Sequence, residues 1–227
     1  AITPIQFCEK YCQYVDEGYT DVIHVPINRS GSSTYNNAVM AQGMLREERP
    51  EHHLNIHLLD PHTYSMVFGW YLCEMARKLQ NGAELRHVIS EFETQMNKME
   101  VILGPYSLKQ MKKSGRISAA AAVMGELMGI RPIITLIDGK TRVESKVRGD
   151  DKVIPAMIDL CKKRTEGVED FDYMIGHTSI PQAAELEKAC RKAFGKAPLT
   201  TFNLGGVVSA NTGPDTLALV YVGKARD

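Results

Sequence analysis

The loop Ser30-Gly-Ser-Ser-Thr34 is the stretch of this sequence whose residue types are best suited to holding an anion. It follows a short β-branched segment that predicts a strand and precedes a segment that predicts a helix, and open α/β sheets bind their ligands at this edge. Hydroxyl groups and the amides of a helix start can hold a carboxylate or a phosphate without a formal positive charge. The loop lacks the lysine of a P-loop and the spacing of a dinucleotide fingerprint, which argues against a nucleotide site. The alternative, that these residues only cap the following helix, stays open on the residues alone.

A serine of this loop could instead act as a nucleophile, which would make the protein a small hydrolase or acyl transferase. The sequence has no Gly-x-Ser-x-Gly elbow, and no signal brings His24 or His177 to the loop. A second candidate loop, residues 205–214, is rich in small residues and could let the backbone approach a ligand closely. The basic residues Arg116 and Arg148 have ordinary interpretations, as a charge just past a helix C-terminus and as a solvated loop charge.

The pattern of cysteines and histidines favours no metal site. Cys8 and Cys12 stand at helical i,i+4 spacing and could form half of a site, but no second Cys or His pair at zinc-like spacing accompanies them. Four of the seven histidines fall between residues 52 and 62, on a strand pattern and its flanking loops. The five cysteines are odd in number and scattered, which indicates reduced thiols in a reducing compartment.

Composition indicates an ordinary globular protein of one or two domains. The chain has 227 residues, of which 44% are hydrophobic and 24% charged. Its 27 basic residues equal its 27 acidic residues, so no whole-protein field attracts nucleic acid or an anionic membrane. No apolar run approaches the roughly 20 residues of a membrane span, and no signal peptide opens the chain, which predicts a cytoplasmic protein. Because the chain starts at Ala1 without a methionine and enters a helix at once, we expect it to be a fragment.

The first part of the chain, residues 1–98, predicts a parallel sheet sandwiched by helices. Thr3 and Pro4 start a helix that Gly18 ends, and a short apolar strand follows from Asp21 to Ile27. A second buried strand is predicted at 54–59, and further helices are predicted at 34–48, 64–80 and 83–98.

Beyond Met99 the pattern becomes that of an α+β domain with a mixed sheet, residues 99–227. Asp138-Gly139 is a turn pair suited to a tight hairpin. Strands are predicted at 101–103, 133–137, 141–147, 173–176, near 199–203 and at 217–222, and helices at 105–113, 118–128, 152–164 and 181–194.

Several short motifs occur in one order along the chain, and together they resemble a known family. They are Ser32-Ser-Thr-Tyr35, Leu58-Leu-Asp60, the stretch from Leu108 to Ser118, Arg131-Pro-Ile-Ile134, Asp138-Gly-Lys140, Lys146-Val-Arg148 and Thr212-Gly-Pro214. This ordered set resembles the DegV family of fatty-acid-binding proteins over essentially the whole chain. The stretch from Lys113 to Ser118 is its most specific part.

The resemblance implies an α/β protein of two domains that binds one long-chain fatty acid in an apolar tunnel between them, without a cofactor and without catalysing a reaction. It also implies a partner, an ATP-binding fatty acid kinase subunit to which the bound acid is presented. Eleven methionines are compatible with an adaptable apolar lining, although most methionines simply fill cores.

A third possibility for the function, besides fatty-acid binding and catalysis, is a partner-binding regulatory protein whose cleft is vestigial.

By this resemblance the fatty-acid carboxylate is bound by two loops, and two arginines lie near the site or dock the partner. The family usually has Ser-Ser-Gly where this chain has Asn28-Arg-Ser30, and usually has His where Asn211 stands, so head-group specificity is expected to differ. Family members also carry a first strand and a Thr-Ser pair just before the position of Ala1. The implied carboxylate-binding residues are Asn28, Arg29, Ser30, Ser32, Asn211 and Thr212, and the two arginines are Arg116 and Arg148.

Overall fold

The computed structural model describes residues 1–115 and 129–225, and the chain divides into two compact units, Ala1–Tyr64 and Ser65–Asp227. The domain boundary near residue 98 stays a prediction of the sequence, and it falls inside the second unit, before its first strand. Arg116 and the helix predicted at 118–128 lie outside the described residues. Within the described ranges, no helix combines the length and the apolar character that crossing a membrane requires.

The first unit consists of two helices and two parallel strands. Thr3 caps the first helix, because its hydroxyl accepts from the amide of Gln6 while the Gln6 side chain accepts from the amide of Thr3. The strands pair in parallel from Asp21 opposite Asn55 to His24 opposite Leu58. The elements are α1 (Pro4–Asp16), β1 (Asp21–His24), α2 (Thr34–Glu48) and β2 (Asn55–Leu58).

The core of this unit lies where α1 packs on α2. Ala38 and Ala41 are fully buried, and their small side chains let the two helices approach closely. Four residues of α1 at helical spacing form the facing apolar stripe: Phe7, Cys8, Tyr11 and Cys12. The sequence predicts strands buried on both faces, whereas β1 and β2 are half-buried, because a sheet of two strands leaves each of them at an edge.

His24, at the end of β1, belongs to an aromatic cluster of the first unit. Its Nδ1 lies 2.6 Å from the hydroxyl of Tyr11, and its ring contacts that of Phe7 edge-on at 4.8 Å between centroids. Burial lowers the pKa of His24, because the charged imidazolium would lose hydration in the core.

We expect the unfolding free energy to fall as the pH drops below about 6.5, the ordinary pKa of histidine, because the unfolded chain then binds a proton that folded His24 resists. The contribution is fully present above that pH and is lost as the pH falls toward the lowered pKa of the folded state, with a slope of at most about 1.4 kcal/mol per pH unit. Urea unfolding of the protein and of His24→Asn, which keeps an acceptor for Tyr11 but does not titrate, measures this difference. Equal pH profiles for the two proteins would contradict the role of His24.

The second unit is built on a six-stranded mixed sheet, as predicted, in the order β5-β4-β3-β8-β6-β7. All neighbouring strands are antiparallel except β6 and β7, which are parallel. The helices described in this unit are α3 (Met66–Gln80), α4 (Leu85–Met96), α5 (Lys109–Ser114), α6 (Val153–Arg164), α7 (Gln182–Phe194) and α8 (Gly205–Thr212). Its strands are β3 (Met99–Pro105), β4 (Ile130–Ile137), β5 (Lys140–Arg148), β6 (Tyr173–His177), β7 (Thr201–Asn203) and β8 (Thr216–Val222).

Two local predictions in this unit have opposite outcomes. The β4-β5 hairpin is confirmed, because Asp138 and Gly139 both take positive φ, 49° and 70°, as its tight turn requires. The loop predicted at 205–214 is wrong, because residues 205–212 form α8. Packing of α8 against α5 outweighs the poor helix propensity of a segment that begins with two glycines.

A carboxylate is buried on one face of this sheet and is paired with a half-buried arginine. Glu100 of β3 is 6% exposed and lies opposite Tyr221 of β8, whose hydroxyl donates to its Oε2 at 2.6 Å. Arg164, the last residue of α6, donates to both carboxylate oxygens, at 2.5 and 3.1 Å. The two-point contact attaches the end of α6 to the centre of the sheet.

Candidate functional site

The loops that follow β1 and β2 meet at one edge of the first unit. The amide of Leu59 donates to the carbonyl of His24 at 3.0 Å, and the amide of Asn28 donates to the carbonyl of Thr63 at 3.0 Å. Because neighbouring parallel strands end at the same edge, the polar residues after each strand come together there. We call this group, residues 28–34 and 60–64, the loop cluster.

Asn28 organises the first loop from inside. Its side chain is 1% exposed, and its Oδ1 accepts from both the amide and the hydroxyl of Ser30, each at 3.1 Å. Its Nδ2 donates to the hydroxyl of Tyr64 at 3.1 Å. Asn28 therefore closes a side-chain turn and joins the two loops, so its main effect is on the position of Ser30 and Tyr64.

Gly31 lies directly against the ring of Tyr64. A Cβ at this position would lie 1.9 Å from the Tyr64 hydroxyl and 2.9 Å from its ring carbon. The glycine is required here by close packing between the loops, because even one methyl group would overlap the phenol.

We expect Gly31→Ala to destabilise the protein by about 1–3 kcal/mol, the usual range for overpacking, since either the loop or the Tyr64 ring has to move. Gly43 is a matched control, because a Cβ there meets no atom within 4 Å. Thermal unfolding of both variants checks the prediction. A Gly31→Ala protein as stable as Gly43→Ala would show that the loops are not packed as described.

Asp60 joins the same two loops by its carboxylate. Its Oδ1 accepts from the amides of His62 at 2.9 Å and Arg29 at 3.4 Å. The Oδ2 atom is buried and makes no hydrogen bond within the described residues, but it has Arg29 Nε at 3.5 Å and His62 Nδ1 at 3.7 Å. The contact with Arg29 is an ion pair in which the exposed guanidinium balances the carboxylate. Arg29, which the family resemblance assigns to the fatty-acid carboxylate, therefore already interacts with the carboxylate of Asp60.

The Thr63 side chain is the feature of the loop cluster that points most directly to a bound ligand. It is 5% exposed, and its Oγ1 has no hydrogen-bond partner among the described residues. A buried hydroxyl without a partner costs roughly 1–3 kcal/mol and calls for an explanation. Sequence reasoning did not identify Thr63, although its place just beyond the end of a predicted strand could have indicated it.

Ser32 lies at the start of α2, and its bonds favour a local role over nucleophilic catalysis. Its hydroxyl is 2.7 Å from that of Thr34 and accepts from the Thr34 amide at 3.2 Å. None of the hydrogen bonds described for Ser32 involves an imidazole, and the bond described for the His24 ring is to Tyr11. Ser33, the N-cap residue, makes no capping bond through its side chain, so the capping interpretation applies to Ser32 instead.

The remaining predicted site residues belong to the second unit. Asn211 and Thr212 form the last turn of α8, where Asn211 Nδ2 donates to the carbonyl of Val207 at 2.8 Å and Thr212 is buried. The Asn211 carbonyl accepts from Ser114 at 3.2 Å, which attaches this turn to α5. Arg148 ends β5, an edge strand, and its side chain is exposed.

Comparison with known proteins gives consistent results over the whole chain. A family model described as an uncharacterised protein of the DegV family matches residues 1–224. A DegV domain-containing protein of Clostridium perfringens is 28% identical over 226 residues, which are 97% of this chain and 76% of the relative. One of Staphylococcus aureus is 28% identical over 224 residues, 96% of this chain and 75% of the relative.

Solved structures with the same fold include two fatty-acid-binding proteins. A fatty-acid (stearic acid)-binding protein of Eubacterium ventriosum matches with a TM-score of 0.86 at 20% identity, and the aligned region covers 98% of this chain and 77% of that protein. A fatty-acid-binding DegV family protein of Streptococcus agalactiae has a TM-score of 0.82 at 25% identity, with the same two coverages. The α/β fold class predicted from the sequence is thereby confirmed.

Proposed function

Because this chain belongs to the DegV family, we propose that it binds a long-chain fatty acid and catalyses no reaction itself. The similar structures from Eubacterium ventriosum and Streptococcus agalactiae are described as fatty-acid-binding proteins. In this chain the observation that carries the proposal is the Thr63 hydroxyl, which is buried in the loop cluster and has no hydrogen-bond partner among residues 1–115 and 129–225. A fatty-acid carboxylate supplies the acceptor that this hydroxyl lacks.

The loop cluster has the chemistry for such a head group. Hydrogen bonds from neutral donors to a carboxylate are charge-assisted, and they are about twice as strong as bonds between neutral groups. Ser30 and Ser32 carry further hydroxyls in the same loop, and Arg29 lies at its exposed side, 3.5 Å from Asp60. Affinity then comes mainly from the tail, at about 0.8 kcal/mol for each methylene removed from water.

We also propose the finer features that the family resemblance implies. The alkyl tail lies in an apolar tunnel between domains, and Asn211 and Thr212 contribute to head-group binding together with Asn28. The resemblance further implies that Arg116 and Arg148 act near the site or in docking, and we propose that Arg148 docks an ATP-binding fatty acid kinase subunit in the cytoplasm. Capture of such a subunit equally well by the protein and by Arg148→Ala would contradict the docking role.

Native mass spectrometry of the purified chain tests the central proposal. After incubation with stearic acid we expect one adduct of fatty-acid mass per chain. Stearyl alcohol is the matched control, because it has the same tail without the carboxylate, and we expect it to bind more weakly. A spectrum without adduct after stearic acid would exclude fatty-acid binding, and equal binding of acid and alcohol would exclude a carboxylate site.

A further inference from the structure

Three side chains of metal-ligand type meet where α1 packs on α2, outside the loop cluster. They are Cys8 and Cys12 of α1 and Glu48, the last residue of α2. Their two sulfur atoms and one carboxylate oxygen all lie within 4.8 Å of one another. The amino-acid sequence shows the cysteine pair, but the third residue follows 36 positions after Cys12 and is brought to it by the packing of the two helices.

The two thiols point the same way because residues four apart lie on one face of a helix. Both are buried, at 2% and 8% exposure, in the core that α1 forms with α2. Glu48 is exposed, and its Oε2 lies 3.6 Å from the Sγ of Cys8. The sulfur side of the cluster is therefore buried, and its carboxylate side is exposed to solvent.

These separations are close to those of a tetrahedral zinc site. Zinc binds thiolate sulfur at about 2.3 Å and carboxylate oxygen at about 2.0–2.2 Å, so its ligand atoms lie about 3.5–3.8 Å apart. The distance between Cys8 Sγ and Glu48 Oε2 is already in this range. The two remaining distances are at most 4.8 Å and therefore need a shift of at most about 1 Å. The exposed Glu48 can bring its oxygen closer to Cys12 by changing rotamer, and rotation about χ1 of one cysteine can shorten the distance between the two sulfur atoms. Three intervening residues between two cysteines are also within the usual C-x₂₋₄-C spacing.

We propose that Cys8, Cys12 and Glu48 bind a thiophilic divalent cation, Zn²⁺, with water as the fourth ligand. Both cysteines bind as thiolates and release their protons to solvent. Since Glu48 faces solvent, the fourth position is open to water, as in sites with three protein ligands. The ion then crosslinks α1 to α2 and stabilises the first unit. This proposal is independent of fatty-acid binding.

The competing interpretation is a pair of ordinary core thiols in which the Cys8 S–H donates to the Glu48 carboxylate. Cobalt substitution separates the two, because Co²⁺ bound by thiolates gives an intense sulfur-to-metal charge-transfer band that carboxylate or histidine ligands do not produce. We expect the reduced, metal-depleted full chain to develop this band at one Co²⁺ per chain and to lose it when Zn²⁺ is added.

Variants assign the ligands. Cys8→Ser and Cys12→Ser are expected to abolish the band, whereas Cys73→Ser, a matched control at an exposed thiol of α3, is expected to keep it. Because serine in the core could unfold the protein, Glu48→Gln gives a second measurement at an exposed position. We expect it to weaken Zn²⁺ binding more than about tenfold in competition with a chromophoric chelator. No band in the parent protein, a band that persists in folded Cys8→Ser, or an unchanged affinity of Glu48→Gln would each overturn the proposal.

Discussion

Thr63→Val is expected to weaken fatty-acid binding about 10- to 100-fold while leaving the free protein as stable as before, or more stable. Valine has the shape of threonine without the hydroxyl, and a hydrogen bond to a charged group contributes about 1.5–3 kcal/mol. In the free protein this hydroxyl is buried and has no partner in the described part of the chain, so its removal takes away a desolvation cost and no bond described there. Stearic-acid titration and urea unfolding of the same variant measure both effects.

Thr165→Val is the matched control for this prediction. Thr165 is as buried as Thr63, at 5% exposure, but its hydroxyl donates to the carbonyl of Cys161 at 2.9 Å. We expect this variant to lose stability and to keep its affinity for the fatty acid, the reverse of Thr63→Val. If Thr63→Val binds stearic acid as tightly as the parent protein, the loop cluster does not hold the carboxylate through Thr63.

Arg164→Met is expected to lower the unfolding free energy by about 3–5 kcal/mol, the largest effect on stability that we predict. The arginine donates to both oxygens of Glu100, which is buried beside Tyr221. Breaking a buried pair by removing one partner leaves a buried charge without compensation, and this costs far more than the pair itself contributes. Denaturant unfolding at neutral pH measures the loss.

Two further variants test whether the loss of stability in Arg164→Met comes from the buried charge of Glu100. Arg191→Met removes an exposed ion pair with Glu187 on α7, where we expect a loss below about 1 kcal/mol. The double variant Arg164→Met with Glu100→Met is expected to recover most of the stability, because it removes both charges. If the double variant is no more stable than Arg164→Met alone, the loss comes from packing of the arginine stem and not from the isolated carboxylate.

Elements with strong local signals could be predicted from the sequence. Thr3 and Pro4 start α1, and Gly18 follows its end, because capping and backbone freedom act over a few residues. The β4-β5 hairpin follows from Asp138-Gly139 for the same reason. The segment from Gly205 to Thr212 could not be predicted in this way, since its helix depends on contact with α5, which is far away in the sequence.

The candidate site shows the same division. The sequence identified the hydroxyl loop after β1 from the order of strand, polar residues and helix, and family membership followed from motifs spread over the whole chain. It did not identify Thr63 as a site residue or the fit of Gly31 against Tyr64, because both depend on which loop lies beside the first.

By itself, then, the sequence determined the type of most elements, the family and the approximate location of a polar loop suited to an anion. Only the tertiary structure decided that the Thr63 hydroxyl is buried with no partner among the residues described, which carboxylate is paired with Arg29, and that Glu48 lies beside Cys8 and Cys12. The physical reason is the separation along the chain over which each kind of interaction acts. Caps, turns and periodicity act between neighbours in the chain, whereas burial and pairing depend on residues that only folding brings together.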